Sequence, residues 1–264
     1  MQKGALHIHS TYSDGERTLE ELRDVFIRAG CRFACVTDHA DCFDLGKLRT
    51  YADECTSLSD NTFRFIAGLE YGCANGMHIL GYGTTTAIDS IDPQVVIRSI
   101  RDSGGIAVIA HPKEEAFAWI RSFDELPDGI EVWNTKYDGR YAPRPATFAL
   151  FGELQARRPD MTAFYGQDLH WRRQYCGMFV EIACDQNDAA PILTALRRGA
   201  YAAVKDGMHL PSNGIIASET MARFAEAQAR SQRFRRYAKR AKQWADSFGI
   251  VVPAAMKAQL RRMF

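Results

Sequence analysis

The sequence lacks the features that define several protein classes. No apolar run approaches the roughly 20 residues a membrane-spanning helix needs, and no signal peptide is expected, since an alternating segment starts within the first few residues. Seven cysteines form an odd set without any Cys-x-x-Cys pair, which speaks against a disulfide framework or a zinc ribbon. Reduced thiols in a cytoplasmic protein are the expectation, with Cys42 and Cys73 read as buried. There is no internal repeat, no low-complexity linker and no net excess of charge, since 33 Lys+Arg face 32 Asp+Glu. With 46% hydrophobic and 25% charged residues in 264, the composition is that of a globular chain and excludes collagen-like and disordered ones. The balance conceals an asymmetry: residues 219–264 hold 11 basic and 3 acidic residues, against 22 and 29 before them.

What is present is a succession of strand-like and helix-like stretches. Strands are expected at Ala5–His9, Phe33–Thr37, Phe63–Leu69, Met77–Tyr82, Ile106–Ala110, Gly129–Trp133, Thr162–Tyr165 and Met178–Ala183. Thr18 and Glu21 form a capping box for a helix that Gly30 ends, and further helices are expected near 45–58, 93–104, 146–158 and 188–198. Alternating βα units of this kind imply a largely parallel sheet with helical cover. From about Glu219 a long helix is expected, with Phe234, Tyr237, Ala241, Trp244 and Phe248 on one stripe and most of its basic residues elsewhere. Packing of that stripe on the body is the preferred reading; a basic helix touching nucleic acid is the alternative. The chain thus divides into a body, residues 1–218, and a basic helical extension, residues 219–264.

Imidazoles and carboxylates cluster at strand ends. His7 and His9 are two apart, which on a strand puts both rings on one face, as two ligands of one metal require. Asp14 lies in the turn Ser13-Asp14-Gly15, Asp38-His39 and Glu70 end the next strands, and His78 begins another. His111-Pro112 and Asp168-Leu169-His170 follow two more. Six of the seven histidines belong to this set. A parallel barrel gathers such scattered residues, because its site is built at the C-terminal ends of successive strands. A multinuclear metal site is therefore expected, and His209 is left as a structural or surface residue.

The motifs His7-Ile8-His9-Ser10-Thr11-Tyr12-Ser13-Asp14-Gly15, Thr37-Asp38-His39, Gly68-Leu69-Glu70, His78-Ile79-Leu80-Gly81, Ala110-His111-Pro112 and Gly166-Gln167-Asp168-Leu169-His170 together resemble those of the PHP (polymerase and histidinol phosphatase) superfamily. The resemblance covers roughly residues 5–205. It implies an α/β fold, a distorted (β/α)7 barrel followed here by the C-terminal helical tail, and a trinuclear metal centre. It implies that His7, His9, Glu70 and Asp168 hold a first metal, that Asp14, His39 and His170 hold a second, and that Glu70 bridges to a third held by His78 and His111. Many members carry histidine where this chain has Asp14. The Ser-Asp-Gly version resembles the branch acting on nucleotides and oligonucleotide ends, which places histidinol-phosphate phosphatase second.

Nine nitrogen and oxygen donors without a thiolate favour Mn²⁺, Zn²⁺ or Fe²⁺, and the carboxylates lean toward Mn²⁺. The expected enzyme is a metal-dependent phosphoesterase in which a metal-bridging hydroxide attacks phosphorus in line. Asp168 or His170 would move the proton to the leaving alcohol, and Asp38 would act in catalysis by orienting His39. Lys113, Arg140 and Arg144 are candidates to hold the substrate phosphate. Lys136 is better read as a solvated charge, and Tyr137 and Tyr141 could stack on a base. The expected partner is a small phosphorylated molecule, a nucleotide or a short RNA. A non-catalytic nucleic-acid-binding or regulatory module is a further alternative, which the full set of donor positions disfavours.

Overall fold

The computed structural model of the chain describes residues 1–247. Its sheet is built first from β1 (Gln2–Ile8), β2 (Phe33–His39), β3 (Arg64–Gly72), β4 (His78–Tyr82), β5 (Ile106–Ala110), β6 (Gly129–Asn134) and β7 (Thr162–Gly166), neighbours in chain order. Every pairing in this series is parallel except those of β4, which runs antiparallel to both β3 and β5. The reversal follows from the connection. Residues 73–77 are too few for a parallel crossover, and Asn75 and Gly76, at φ 57° and 65°, make a tight turn there instead.

Beyond β7 the chain returns along the first strand. Gln167 N donates to Leu6 O at 3.1 Å, Leu169 N to His7 O at 3.2 Å, and His9 N to Leu169 O at 2.9 Å. The barrel-shaped sheet is thereby nearly closed. The start of β1, Gln2–Gly4, pairs on the same edge with β8 (Phe179–Ile182), and β9 (Tyr201–Lys205) and β10 (Met208–Pro211) extend it as an antiparallel ribbon. These last two strands and the short helix α4 below were not among the expected elements.

The helices are α1 (Leu19–Arg28), α2 (Leu45–Ser57), α3 (Pro93–Asp102), α4 (Phe117–Arg121), α5 (Pro145–Arg157), α6 (Ala189–Arg197) and α7 (Ser218–Ser247). Local sequence chemistry sets their starts: Thr18 and Glu21 complete the capping box of α1, and Asp92 accepts from Gln94 N ahead of Pro93. Leu19, Leu22 and Phe26 of α1 and Val96, Ile97 and Ile100 of α3 are buried in the core. Strand β5 is buried at all its positions, Ile106 to Ala110, as expected of a strand covered on both faces.

The tail corrects an expectation. Its anchor is the early part of α7, where Phe224 is buried with its ring 5.5 Å from Trp133 and Gln228 is buried beside it. Tyr237 and Trp244 of the expected packing stripe are 68% and 62% exposed, and Phe248 lies outside the described residues. Only six residues separate the helix from β10, so its first turns, not its later ones, meet the barrel. No helix among the described residues is long and apolar enough to cross a membrane.

Candidate metal centre

Strand direction decides which end of each strand supplies the site. His39 ends β2, Glu70 lies near the end of β3, and His111, Asp168 and His170 follow β5 and β7. The reversed β4 contributes its first residue, His78, and so reaches the same rim. His7 departs from the regular-strand argument: its φ is 60° and the β1–β2 register shifts between Ala5 and Ile8, so a bulge, not simple alternation, aims it inward. His111 and Asp168 also have left-handed backbones, φ 28° and 51°. Three strained positions in one cluster are the signature of a site that the surrounding fold holds in place.

Glu70 is the hub. Its Oε2 lies 3.4 Å from His7 Nε2, 3.1 Å from His9 Nε2 and 3.4 Å from His39 Nδ1. Its Oε1 lies 2.7 Å from His78 Nδ1 and 3.1 Å from His111 Nε2. Asp168 Oδ1 is 3.7 Å from both His7 and His9 and 3.1 Å from His170 Nδ1. Asp14 Oδ1 completes the outer side, 3.2 Å from His170, 3.6 Å from His39 and 3.7 Å from His9. All nine donors named from the sequence are therefore gathered, in overlapping groups whose ligand atoms lie within 4.8 Å of one another. The floor is fully buried, while Asp14, 56% exposed, marks the mouth.

Mutual charge governs the protonation of this cluster. Burial opposes ionisation of Glu70 and Asp168, yet the surrounding imidazoles, His7 foremost, hold both well below the usual carboxylate range. The carboxylates Glu131, Asp168 and Glu70 outweigh burial at His7 and raise it well above the ordinary histidine value. His9 is lowered, mainly by burial. Neither nitrogen of the buried His9 ring makes a hydrogen bond, although Glu70 Oε2 lies 3.1 Å from Nε2. A buried imidazole with both nitrogens unsatisfied, facing carboxylates, fits a divalent cation.

The sequence model of the PHP domain family matches residues 5–153. The chain belongs to the PHP domain family. An alignment 111 positions long, covering 38% of this PHP domain protein and 18% of the relative, is 32% identical to the DNA polymerase/3'-5' exonuclease PolX of Bacillus subtilis (strain 168). Among solved structures it resembles a two-domain protein containing a predicted PHP-like metal-dependent phosphoesterase from Bacteroides vulgatus ATCC 8482, with TM-score 0.56 and 17% identity over 85% of this chain and 69% of that one. It also resembles PsfC from Pseudomonas syringae PB-5123, with TM-score 0.52 and 14% identity over 88% of this chain and 98% of that one. These two likenesses concern the fold.

The sequence reading of this PHP domain missed residues around the donors. Glu131, on β6, accepts from His7 Nδ1 at 2.8 Å, from the backbone N–H of His111 at 2.9 Å and from Asn134 Nδ2 at 2.9 Å. Gly166 makes room for it, since a Cβ there would lie 1.7 Å from Glu131 Oε1. An acid inside the otherwise apolar stretch Gly129–Trp133 was the available signal. Lys136, read as solvated, instead puts Nζ 3.1 Å from Asp168 Oδ1 and 3.2 Å from each ring nitrogen of His170.

Other candidates have partners of their own. Asp38 does not hold His39: its carboxylate accepts from the backbone and hydroxyl groups of Ser10 and Ser13 at 2.6–3.1 Å, which fixes the loop carrying Asp14. Arg144 is committed to Asp138 at 2.5 Å and to Pro112 O at 3.0 Å, Lys113 is exposed, and Arg140 lies over the rings of Tyr141 and Tyr175. Tyr137 packs its ring 4.3 Å from that of His111. Cys73 is buried as expected, whereas Cys42 is exposed.

Proposed function

We propose that this protein is a phosphoesterase of the hydrolase class, using up to three divalent ions to cleave the phosphate ester of a nucleotide or of the terminal nucleotide of a short oligonucleotide. The observation that carries the reading is the Glu70-centred cluster of nine donors, with a buried His9 lacking any hydrogen-bond partner. In the assignment we favour, His7, His9, Glu70 and Asp168 hold one ion and Asp14, His39 and His170 a second. Glu70 then links to a third ion held by His78 and His111. A donor set of imidazoles and carboxylates suits Mn²⁺ first, then Zn²⁺ or Fe²⁺. Ions bound there would lower the pKa of a coordinated water and offset charge on the phosphoryl oxygens.

The chain's own groups complete the chemistry. The Lys136 ammonium sits among these donors and can meet a phosphoryl oxygen, a role taken from Lys113, Arg140 and Arg144 by its position. Of the two residues expected to move the proton to the leaving oxygen, Asp168 is held ionised and serves as a ligand, so we favour His170, beside the same ammonium. Glu131 fixes the tautomer and orientation of His7 through Nδ1. Half-exposed Trp171 and Tyr137 each have a ring within 5.5 Å of Lys136 Nζ and offer edges or faces for a nucleobase.

The test is a phosphate-release screen with Mn²⁺ across aryl phosphates, sugar phosphates, nucleoside mono- and bisphosphates, histidinol phosphate and short 5′-phosphorylated RNAs. Transition-metal analysis of the same protein accompanies it. Two or more ions per chain and release from nucleotide substrates are expected, with D168A and H39A inactive but folded. Protein that binds no transition ion under any loading condition would overturn the reading.

A further inference from the structure

A cleft of about 820 Å³ opens between α7 and the loop that leaves the metal centre. That loop is continuous with the site: Lys136 enters the donor cluster, Tyr137 packs on His111, and residues 138–142 line the cleft. Arg140 lies four positions after Lys136, so their α-carbons are at most about 14 Å apart. Gln228 of α7 clamps the loop from the other side, its Nε2 donating to Asp138 O at 2.9 Å and to Ala142 O at 2.5 Å.

The cleft wall is basic. Arg140, Arg223, Arg230 and His209 line it, and the acid among the lining residues, Asp138, is already paired with Arg144. Arg223 is paired with Glu219 at 2.6 Å, while among the described residues no carboxylate lies within ion-pair distance of Arg140 or Arg230. Asp206, whose ionisation Arg140 also favours, is held by Lys205 and the Tyr175 hydroxyl. The Arg140 guanidinium lies 4.5 Å over the ring of Tyr175 and 5.5 Å over that of Tyr141, and Tyr141 is 61% exposed. Arginines beside one exposed aromatic ring, Tyr141, on a loop that starts at a phosphate-accepting site, match the chemistry of a single nucleic-acid strand.

Building on the phosphoesterase reading above, we propose that this cleft carries the next few nucleotides of a single-stranded oligonucleotide whose end occupies the metal centre. The basic character of the tail then has a function in its anchored part, where α7 meets the barrel. Substrate length, not base identity, is what the cleft senses, because arginines and tyrosines here meet phosphates and ring faces.

The experiment is fluorescence anisotropy of 3′-labelled, 5′-phosphorylated RNAs of two, four and eight nucleotides on the full chain, with and without Mn²⁺, over a salt series. Affinity is expected to rise about tenfold or more from two to eight nucleotides. R140A/R230A should remove that gain and lower the slope of log K against log salt by about 1.4, at roughly 0.7 per phosphate contact. The solvent-exposed R230E alone should act in the same direction without disturbing the Tyr175 stack. Length-independent affinity, an unchanged double variant, or equal binding of inorganic polyphosphate or an acidic peptide of matched charge would each overturn the proposal. Phosphate release measured in parallel separates the two readings. Length-dependent binding without release from any substrate defeats the catalytic reading alone, and release without length dependence defeats the cleft alone.

Discussion

Single residues show how the donors are held as well as which they are. Glu131 touches His7, the backbone behind His111, and Asn134, so one carboxylate orients groups from three parts of the rim. Partners of this kind tune metal affinity about 10- to 100-fold. E131Q is expected to keep the fold and to lose that much affinity for Mn²⁺ in a chelator competition, with E131D intermediate; unchanged affinity would show that His7 needs no such partner. Lys136 is the second case. K136M is expected to raise KM for a phosphate monoester at least tenfold without reducing the metal content. Eight of the nine donors were legible in the sequence because they stand at the end of an apolar run, and Asp14 because of its Ser-Asp-Gly turn. Glu131 was not, lying inside one, and Lys136 was not, because a lysine after a strand is usually a solvated charge. Asp38 was misassigned for a related reason: neighbours on one strand point to opposite faces, so Asp38 turns away from the His39 beside it in β2, and its oxygens serve Ser10 and Ser13.

At the level of elements, hydrophobic patterning found the strands of the barrel but not their directions. A five-residue connection reverses β4, and only that reversal lets His78, at the start of its strand, meet His39 and His111 at the ends of theirs. The tail is the complementary lesson. Its apolar stripe had helical spacing, yet the buried contact formed earlier, at Phe224 and Gln228, because chain entry fixes which turns reach the barrel. F224A is therefore expected to destabilise the protein by about 3 kcal/mol through the cavity left against Trp133. Y237S, at a position 68% exposed, is expected to change stability by less than about 0.5 kcal/mol. Urea midpoints at constant m-value distinguish the two; equal effects would mean that the later turns also carry packing.

On the scale of the whole molecule, closing the barrel and building the site are one event. The hydrogen bonds that bring 167–169 back along β1 join the segment bearing Asp168 and His170 to the one bearing His7 and His9. Four donors thus depend on the seam of the sheet, and anything that ties them together stabilises the closed barrel. Glu70 and Asp168 are carboxylates held ionised in a buried place by neighbouring imidazoles, with Lys136 also beside Asp168, and divalent ions would compensate that charge more fully. Binding to the native state alone stabilises it by about 2.7 kcal/mol at a free metal concentration of 100 Kd. For a domain of this size that corresponds to a rise of roughly 5–10 °C in Tm. Calorimetry of Mn²⁺-loaded against chelator-treated protein should show the rise, and H9A, which removes the ring without hydrogen-bond partners, should diminish it. A shift of equal size in H9A would place the stabilising ion away from the seam, and the link between barrel closure and metal binding would then fail.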